Sequence, residues 1–138
     1  AERVALEFRD YRDLRGSYDH LVSIEMYEAV GERFWPTYFR TLRERLKPKG
    51  RAVVQAITIA DERFDRYRSS TDFIQQYVFP GGLLPSPSAF RAQARAAGLE
   101  VVNELAFGAD YAETLRRWVR RAERDSGHGV GAIAKGVG

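Results

Sequence analysis

The chain has no cysteine, one methionine and two histidines. Without cysteine there is neither a disulfide nor a thiolate metal site, which fits a cytosolic location. His20 and His128 share no metal-like spacing with acids or with each other, so no metal site is expected. No apolar run is long enough to span a bilayer, and the start carries no signal-peptide pattern. A basic stripe poor in acid is missing too, because 22 Lys and Arg are interleaved with 19 Asp and Glu for a net charge of +3. That balance reads as a mixed-sign solvated surface and not as a nucleic-acid face. It leaves weak attraction to anionic lipid headgroups open. What is present is ordinary for a globular protein: 138 residues, 44% hydrophobic and 30% charged, allow one domain with a real core.

Apolar patterning predicts strands alternating with helices. Residues 4–8, 21–24, 52–57 and a stretch within 99–107 read as strands, the last with Val101, Val102 and Leu105 as core. The near-continuous apolar run at 21–24 suits a strand buried on both faces of a parallel sheet. A helix follows Pro36, carrying Phe39, Leu42 and Leu46 at helical spacing until Lys47-Pro48-Lys49-Gly50 breaks it. The charged segment 61–70 reads as loop or frayed helix. Thr71 can cap a short helix that buries Phe73, Ile74, Tyr77 and Val78. Ser86-Pro87 starts another helix and Gly98 stops it. Asp110 with Glu113 opens a last helix with Leu115, Trp118 and Val119 on one face. Such alternation implies an α/β sheet with parallel crossovers. The tail 126–138 holds five of the twelve glycines and is expected to be disordered.

Several residues could carry chemistry. Glu28 follows a buried strand, at the carboxyl end where open α/β sheets place ligands. Glu25 and Glu28 could equally belong to a solvated helix start, where acids favour the macrodipole. Gln55, an amide amid Val53-Val54-Gln55-Ala56-Ile57, needs partners if buried, from a site or from a neighbouring loop. Tyr111 stands at the start of the last helix, either facing a cleft or anchoring a core. Asp10, Tyr11 and Arg12 follow the first strand, where such loops can lie against a purine. The loop Phe79-Pro80-Gly81-Gly82-Leu83-Leu84-Pro85 combines prolines and glycines into a defined shape, whether for function or for simple chain reversal. The arginines at 116, 117, 120, 121 and 124 form either a solvated face or a membrane-surface patch.

Taken in order, Asp10-Tyr11-Arg12-Asp13, Ser23-Ile24-Glu25-Met26-Tyr27-Glu28-Ala29-Val30-Gly31, Trp35-Pro36-Thr37-Tyr38-Phe39, Gln55-Ala56-Ile57-Thr58-Ile59, Phe79-Pro80-Gly81-Gly82 and Asp110-Tyr111-Ala112-Glu113 carry a family resemblance. From about Val4 to about Arg121 the chain resembles the C-terminal part of the cyclopropane-fatty-acyl-phospholipid synthases. The resemblance implies a Rossmann-like class I methyltransferase sheet of α/β class, truncated at the N-terminus, with the first strands and glycine-rich loop upstream of Ala1. Residues 1–121 would be the C-terminal part of the methyltransferase domain and 122–138 a Gly-rich tail. The implied activity transfers a carbon from S-adenosylmethionine to the cis double bond of a phospholipid acyl chain, with bound bicarbonate taking the proton so that a cyclopropane closes. The implied catalytic residues are Glu28, which holds the bicarbonate, Tyr111, which hydrogen-bonds it, the backbone of Ile57, and Gln55. Gln55 falls where many members carry a histidine; an amide can donate to an anion but does not titrate. Methyl-branched or methylene products therefore stay open as an alternative. Asp10, Tyr11, Arg12, Ser23 and Ile24 are the implied cofactor residues. The implied partners are unsaturated phospholipid chains, met by a cytoplasmic enzyme peripheral to the inner membrane surface. Tyr27, Phe79 and Tyr111 could stabilise positive charge through their rings. The fragment is expected to be inactive alone, and an unpaired sheet edge makes a homo-oligomer or a half-domain needing a partner the remaining reading.

Overall fold

The computed structural model describes residues 4–70 and 73–125. The chain divides into two units, Ala1–Val102 and Asn103–Gly138. In the first, strand β1 (Tyr18–Ile24) leads through two single 3-10 turns, Tyr27–Ala29 and Glu32–Phe34, into helix α1 (Trp35–Arg45). Strand β2 (Leu46–Gln55) returns beside β1 in parallel. This is the expected strand–helix–strand crossover. Helix α1 starts where Pro36 can sit without losing a hydrogen bond, and it ends at Arg45 as the chain enters Lys47-Pro48-Lys49-Gly50. Those four residues bulge out of the pairing, since Tyr18 faces Leu46 whereas His20 already faces Arg51.

Trp35, Tyr38, Phe39 and Leu42 recur on one stripe of α1 and meet Tyr27 from the turn after β1. The Tyr27 ring lies 5.2 Å from Trp35 in a stacked pair, 4.9 Å from Tyr38 and 5.2 Å from Phe39. Phe90 from helix α3 (Pro87–Ala96) closes the group at 5.3 Å from Tyr27. Each such pair adds roughly 0.5–1.5 kcal/mol beyond area burial. Helix α3 begins as expected, with the Ser86 hydroxyl accepting from the Ala89 amide at 3.2 Å and Pro87 in the first turn. It ends at Gly98, whose φ of +76° turns the chain so that Leu99 N–H reaches the Ala94 carbonyl at 3.0 Å.

Five expectations are corrected. Residues 4–8 form no strand, and Val4, Leu6 and Phe8 are exposed, because an apolar run becomes a strand only beside a partner. The stretch 99–107 is extended without pairing, and Val102 and Leu105 are exposed; Val101 alone of the three packs on the core. β1 is covered on one face only: Leu21 and Ser23 are half-buried, while Val22 is 67% exposed. The charged segment is a regular helix, α2 (Asp61–Ser69), whose Phe64 and Tyr67 pack against the core. Phe73 precedes a π-helical turn, Ile74–Val78, that contains Tyr77 and Val78, and all three are exposed, not buried. Thr71 lies outside the described residues.

In the second unit, helix α4 (Gly108–Asp125) carries Leu115, Trp118 and Val119 on one face, each of them substantially exposed. Glu113 pairs with Arg116 at 2.7 Å and Arg117 at 3.0 Å along the helix. The tail 126–138 lies outside the described residues. No helix among the described residues is long and apolar enough to cross a membrane.

Candidate functional site

A groove of about 220 Å³ opens at the carboxyl end of β1. Leu21, Ser23 and Ile24 of β1 form one wall, Tyr38 and Leu42 of α1 another, and Tyr11 a third. Tyr11 belongs to a 3-10 turn, Tyr11–Asp13, and its ring packs 5.9 Å from that of Tyr38. The Tyr38 hydroxyl donates to Ser23 Oγ at 2.7 Å. Burial pushes the Tyr38 phenol up to about 12 and raises that of Tyr11, so both are neutral hydroxyls at ordinary pH. Tyr11 Oη is buried and has no partner. Three of the five expected cofactor residues, Tyr11, Ser23 and Ile24, thus line one groove.

Asp10 and Arg12 do not line it. The Asp10 carboxylate accepts from the Arg12 amide at 2.9 Å, Nε at 2.9 Å and Nη2 at 2.7 Å, which caps the turn and lowers its pKa to about 2. The Arg12 guanidinium also lies 5.4 Å from the Phe34 ring. The pair fixes the turn from which Tyr11 projects.

Glu28 sits in the turn Tyr27–Ala29 after β1, half-buried, and its Oε2 is buried without a partner. A solvated helix start is therefore not its environment. Its backbone carbonyl accepts from the Leu83 amide at 3.0 Å. The glycine-rich loop thus meets the Glu28 turn through main chain. The fit is close on both sides: a Cβ on Gly31 would lie 2.8 Å from the Gly81 carbonyl oxygen, and one on Gly82 would lie 3.1 Å from that of Glu28. Farther along, the Pro85 carbonyl accepts from the Ile59 amide at 3.0 Å. The Asp61 carboxylate then accepts from Ser88 N and Oγ at 3.0 and 2.9 Å, and with Ser86 these bonds lower its pKa. The loop is held through Leu83 and Pro85 and folds on itself through the Gly82 amide on the Phe79 carbonyl.

Gln55 ends β2 opposite Ile24, and its Nε2 donates to Glu25 Oε1 at 3.1 Å. The Glu25 amide returns a bond to the Gln55 carbonyl at 3.0 Å. Glu25 holds φ at +49°, a left-handed conformation that an ordinary side chain occupies only at a cost of about 1–3 kcal/mol. The amide thus has its partner in the adjacent loop, and that partner is Glu25, not Glu28. Ile57 follows β2 and is partly exposed. Tyr111 stands on α4 in the second unit, where its amide donates to the Phe107 carbonyl at 3.1 Å and its side chain is partly exposed. The Tyr27 ring is enclosed by Trp35, Tyr38, Phe39 and Phe90, so it serves the core; Phe79 is exposed.

Sequence reasoning missed Tyr38, Leu42 and Met26 as groove residues. Tyr38 and Leu42 carry a helical core pattern, which conceals that one stripe of α1 both packs the core and walls the groove. Chemically, the first unit offers an apolar groove lined by Tyr11 and Ser23. A few residues beyond Ser23 it offers a buried carboxylate oxygen able to accept a hydrogen bond. Among the described residues no cluster of three or more His, Asp or Glu could hold a metal ion.

A parallel strand–helix–strand unit with a groove at the strand end is a building block of open α/β sheets. Two solved structures share the fold of this chain. The cyclopropane synthase MmaA2 from Mycobacterium tuberculosis superposes with a TM-score of 0.69 over 90% of this chain and 46% of its own, at 23% identity. The mycolic acid cyclopropane synthase CmaA1, complexed with SAH and CTAB, gives 0.67 over 92% and 48%, at 24% identity. The pattern of the family described as mycolic acid cyclopropane synthetase matches residues 1–132, and the chain belongs to that family. Among relatives, the tuberculostearic acid methyltransferase UfaA1 of Mycobacterium tuberculosis is 45% identical over 86% of this chain and 28% of its own length. The cyclopropane-fatty-acyl-phospholipid synthase of Escherichia coli K12 is 36% identical over 86% and 30%. The chain therefore spans under a third of the length of these relatives.

Proposed function

We propose that this chain is part of an S-adenosylmethionine-dependent methyltransferase that alkylates the cis double bond of phospholipid acyl chains and closes a cyclopropane. The observation that carries the reading is the buried, unpartnered Oε2 of Glu28, one turn beyond a groove lined by Tyr11, Ser23 and Ile24. A buried carboxylate oxygen without a donor is costly unless a ligand supplies one. Bicarbonate carries an acidic O–H that suits such an acceptor, so Glu28 fits the role of holding it. The Ile57 backbone would be a second hydrogen-bonding group, and Tyr111 is proposed as a further catalytic residue of the enzyme.

The Tyr11 ring and the Ser23 hydroxyl on apolar walls fit a flat heterocycle with a polar edge, so these residues with Ile24 would hold S-adenosylmethionine. Asp10 and Arg12 support Tyr11 from behind. When bound, the cofactor supplies an electrophilic methyl carbon and bicarbonate supplies a proton acceptor. The chain's own groups orient these partners and exclude water around a hydrocarbon substrate. In this reading the enzyme is cytoplasmic and meets its lipid at the inner membrane surface. The isolated chain is inactive without the rest of the protein, and a homo-oligomer or a partner remains compatible with it.

In the full-length protein, Glu28→Gln should cut turnover roughly a hundredfold or more while leaving cofactor affinity nearly unchanged. Unchanged turnover would remove Glu28 from the mechanism. A second reading, giving methyl-branched or methylene products, is favoured by two observations. Gln55 is committed to Glu25 and cannot titrate, and a 45% identical relative is named as a methyltransferase. Mass spectrometric and proton magnetic resonance analysis of the lipid product decides between ring and branch.

A further inference from the structure

Tyr38 is buried in the aromatic cluster, yet it also reaches the groove wall. Tyr38 places its phenol hydrogen on Ser23 Oγ at 2.7 Å, whereas the buried hydroxyls of Tyr11 and Tyr27 have no partner. A serine oxygen that accepts in this way still carries its own hydrogen. With the Tyr38 side occupied, that hydrogen is left to turn toward the groove. The same Tyr38 ring packs 5.9 Å from Tyr11 and 4.9 Å from Tyr27, the residue preceding Glu28. One side chain thus touches both the groove and the turn that carries the buried carboxylate.

We propose that Tyr38 is a positioning residue for the groove: by donating to Ser23 Oγ it fixes Ser23 as a hydrogen-bond donor toward an acceptor atom of the bound ligand. The inference deepens the proposed function and rests on it. Tyr38 acts through Ser23, so the two residues form one unit energetically.

The test is a double-mutant cycle on the full-length protein, reading the dissociation constant of S-adenosylhomocysteine by calorimetry. Tyr38→Phe and Ser23→Ala should each weaken binding roughly three- to tenfold, the scale of one hydrogen bond. The double variant should be no weaker than the poorer single variant, because both changes remove the same interaction. Fully additive losses would overturn the inference, and so would unchanged binding in Tyr38→Phe. Thermal denaturation of each variant reports folding separately. If Tyr38→Phe does not fold, Ser23→Ala alone should reproduce the loss, and unchanged binding there overturns the inference as well. Failure of the unaltered protein to bind the probe would instead overturn the functional reading itself, and this inference with it.

Discussion

The two faces of the small sheet differ sharply. On one, Ser23 and Val54 lie beneath the stripe of α1, and Trp35, Tyr38 and Phe39 are each at most 2% exposed. On the other, the paired Val22 and Val53 are 67% and 63% exposed. The side chains facing outward are no less apolar than those facing inward. What differs is the partner: aromatic surface from one helix on one face, none among the described residues on the other. Burial in this unit follows from what is packed onto the strand and not from the hydrophobicity of the strand itself.

The sharpest way to break that contrast is to truncate one residue on each face. Trp35→Ala should cost about 3–5 kcal/mol, because it opens a cavity among packed rings. Val53→Ala should cost under about 1 kcal/mol. Denaturant unfolding of the full-length protein measures both, and equal losses would mean that the outer face is also covered in the intact protein.

A second contrast separates two glycines at the junction of the Glu28 turn and the loop. Gly31 and Gly81 both have positive φ, +77° and +83°, so alanine at either meets a backbone strain of about 1–2 kcal/mol. Gly31 has no space as well, whereas nothing lies within 4 Å of a Cβ on Gly81. Gly31→Ala should therefore lose about 1–3 kcal/mol more than Gly81→Ala. Matching melting temperatures for the two variants would show that the loop and turn do not press on each other.

A further effect concerns pH. Burial raises the phenols of Tyr27 and Tyr38 above their ordinary value of 10.0, Tyr38 to about 12. A group whose folded pKa is raised contributes stability that is complete below its unfolded pKa and disappears as pH climbs through the folded one. Stability should thus decline between about pH 10 and 12. Spectrophotometric titration of tyrosine should show a delayed fraction in the native protein that vanishes in denaturant. Superimposable native and denatured curves would contradict the burial.

Much of the first unit was legible in the chain. Pro36, Ser86-Pro87 and Gly98 mark helix ends through local geometry, and local geometry does not depend on distant residues. The parallel pairing of β1 with β2 followed from the helix between them. Residues 4–8 and 99–107 misled because apolar content signals a wish for burial and says nothing about who provides it. The same limit applied to the site. The family resemblance grouped Asp10, Tyr11, Arg12, Ser23 and Ile24, of which Tyr11, Ser23 and Ile24 line the groove, but the bond from Gln55 to Glu25 depends on a left-handed residue that no pattern announces. Tyr38 read as core and is also a groove wall, a double role visible only once β1 and α1 are side by side.

The junction between the Glu28 turn and the loop has one further implication. Leu83 N–H grips a carbonyl, and Gly31 and Gly82 abut carbonyls, so each segment recognises the bare contour of the other. Neighbours such as Ala29, which faces solvent, are released from that task. Side chains at Ala29 can therefore vary without disturbing the fit, provided the glycines and the Ala29 amide bond to the Met26 carbonyl stay in place.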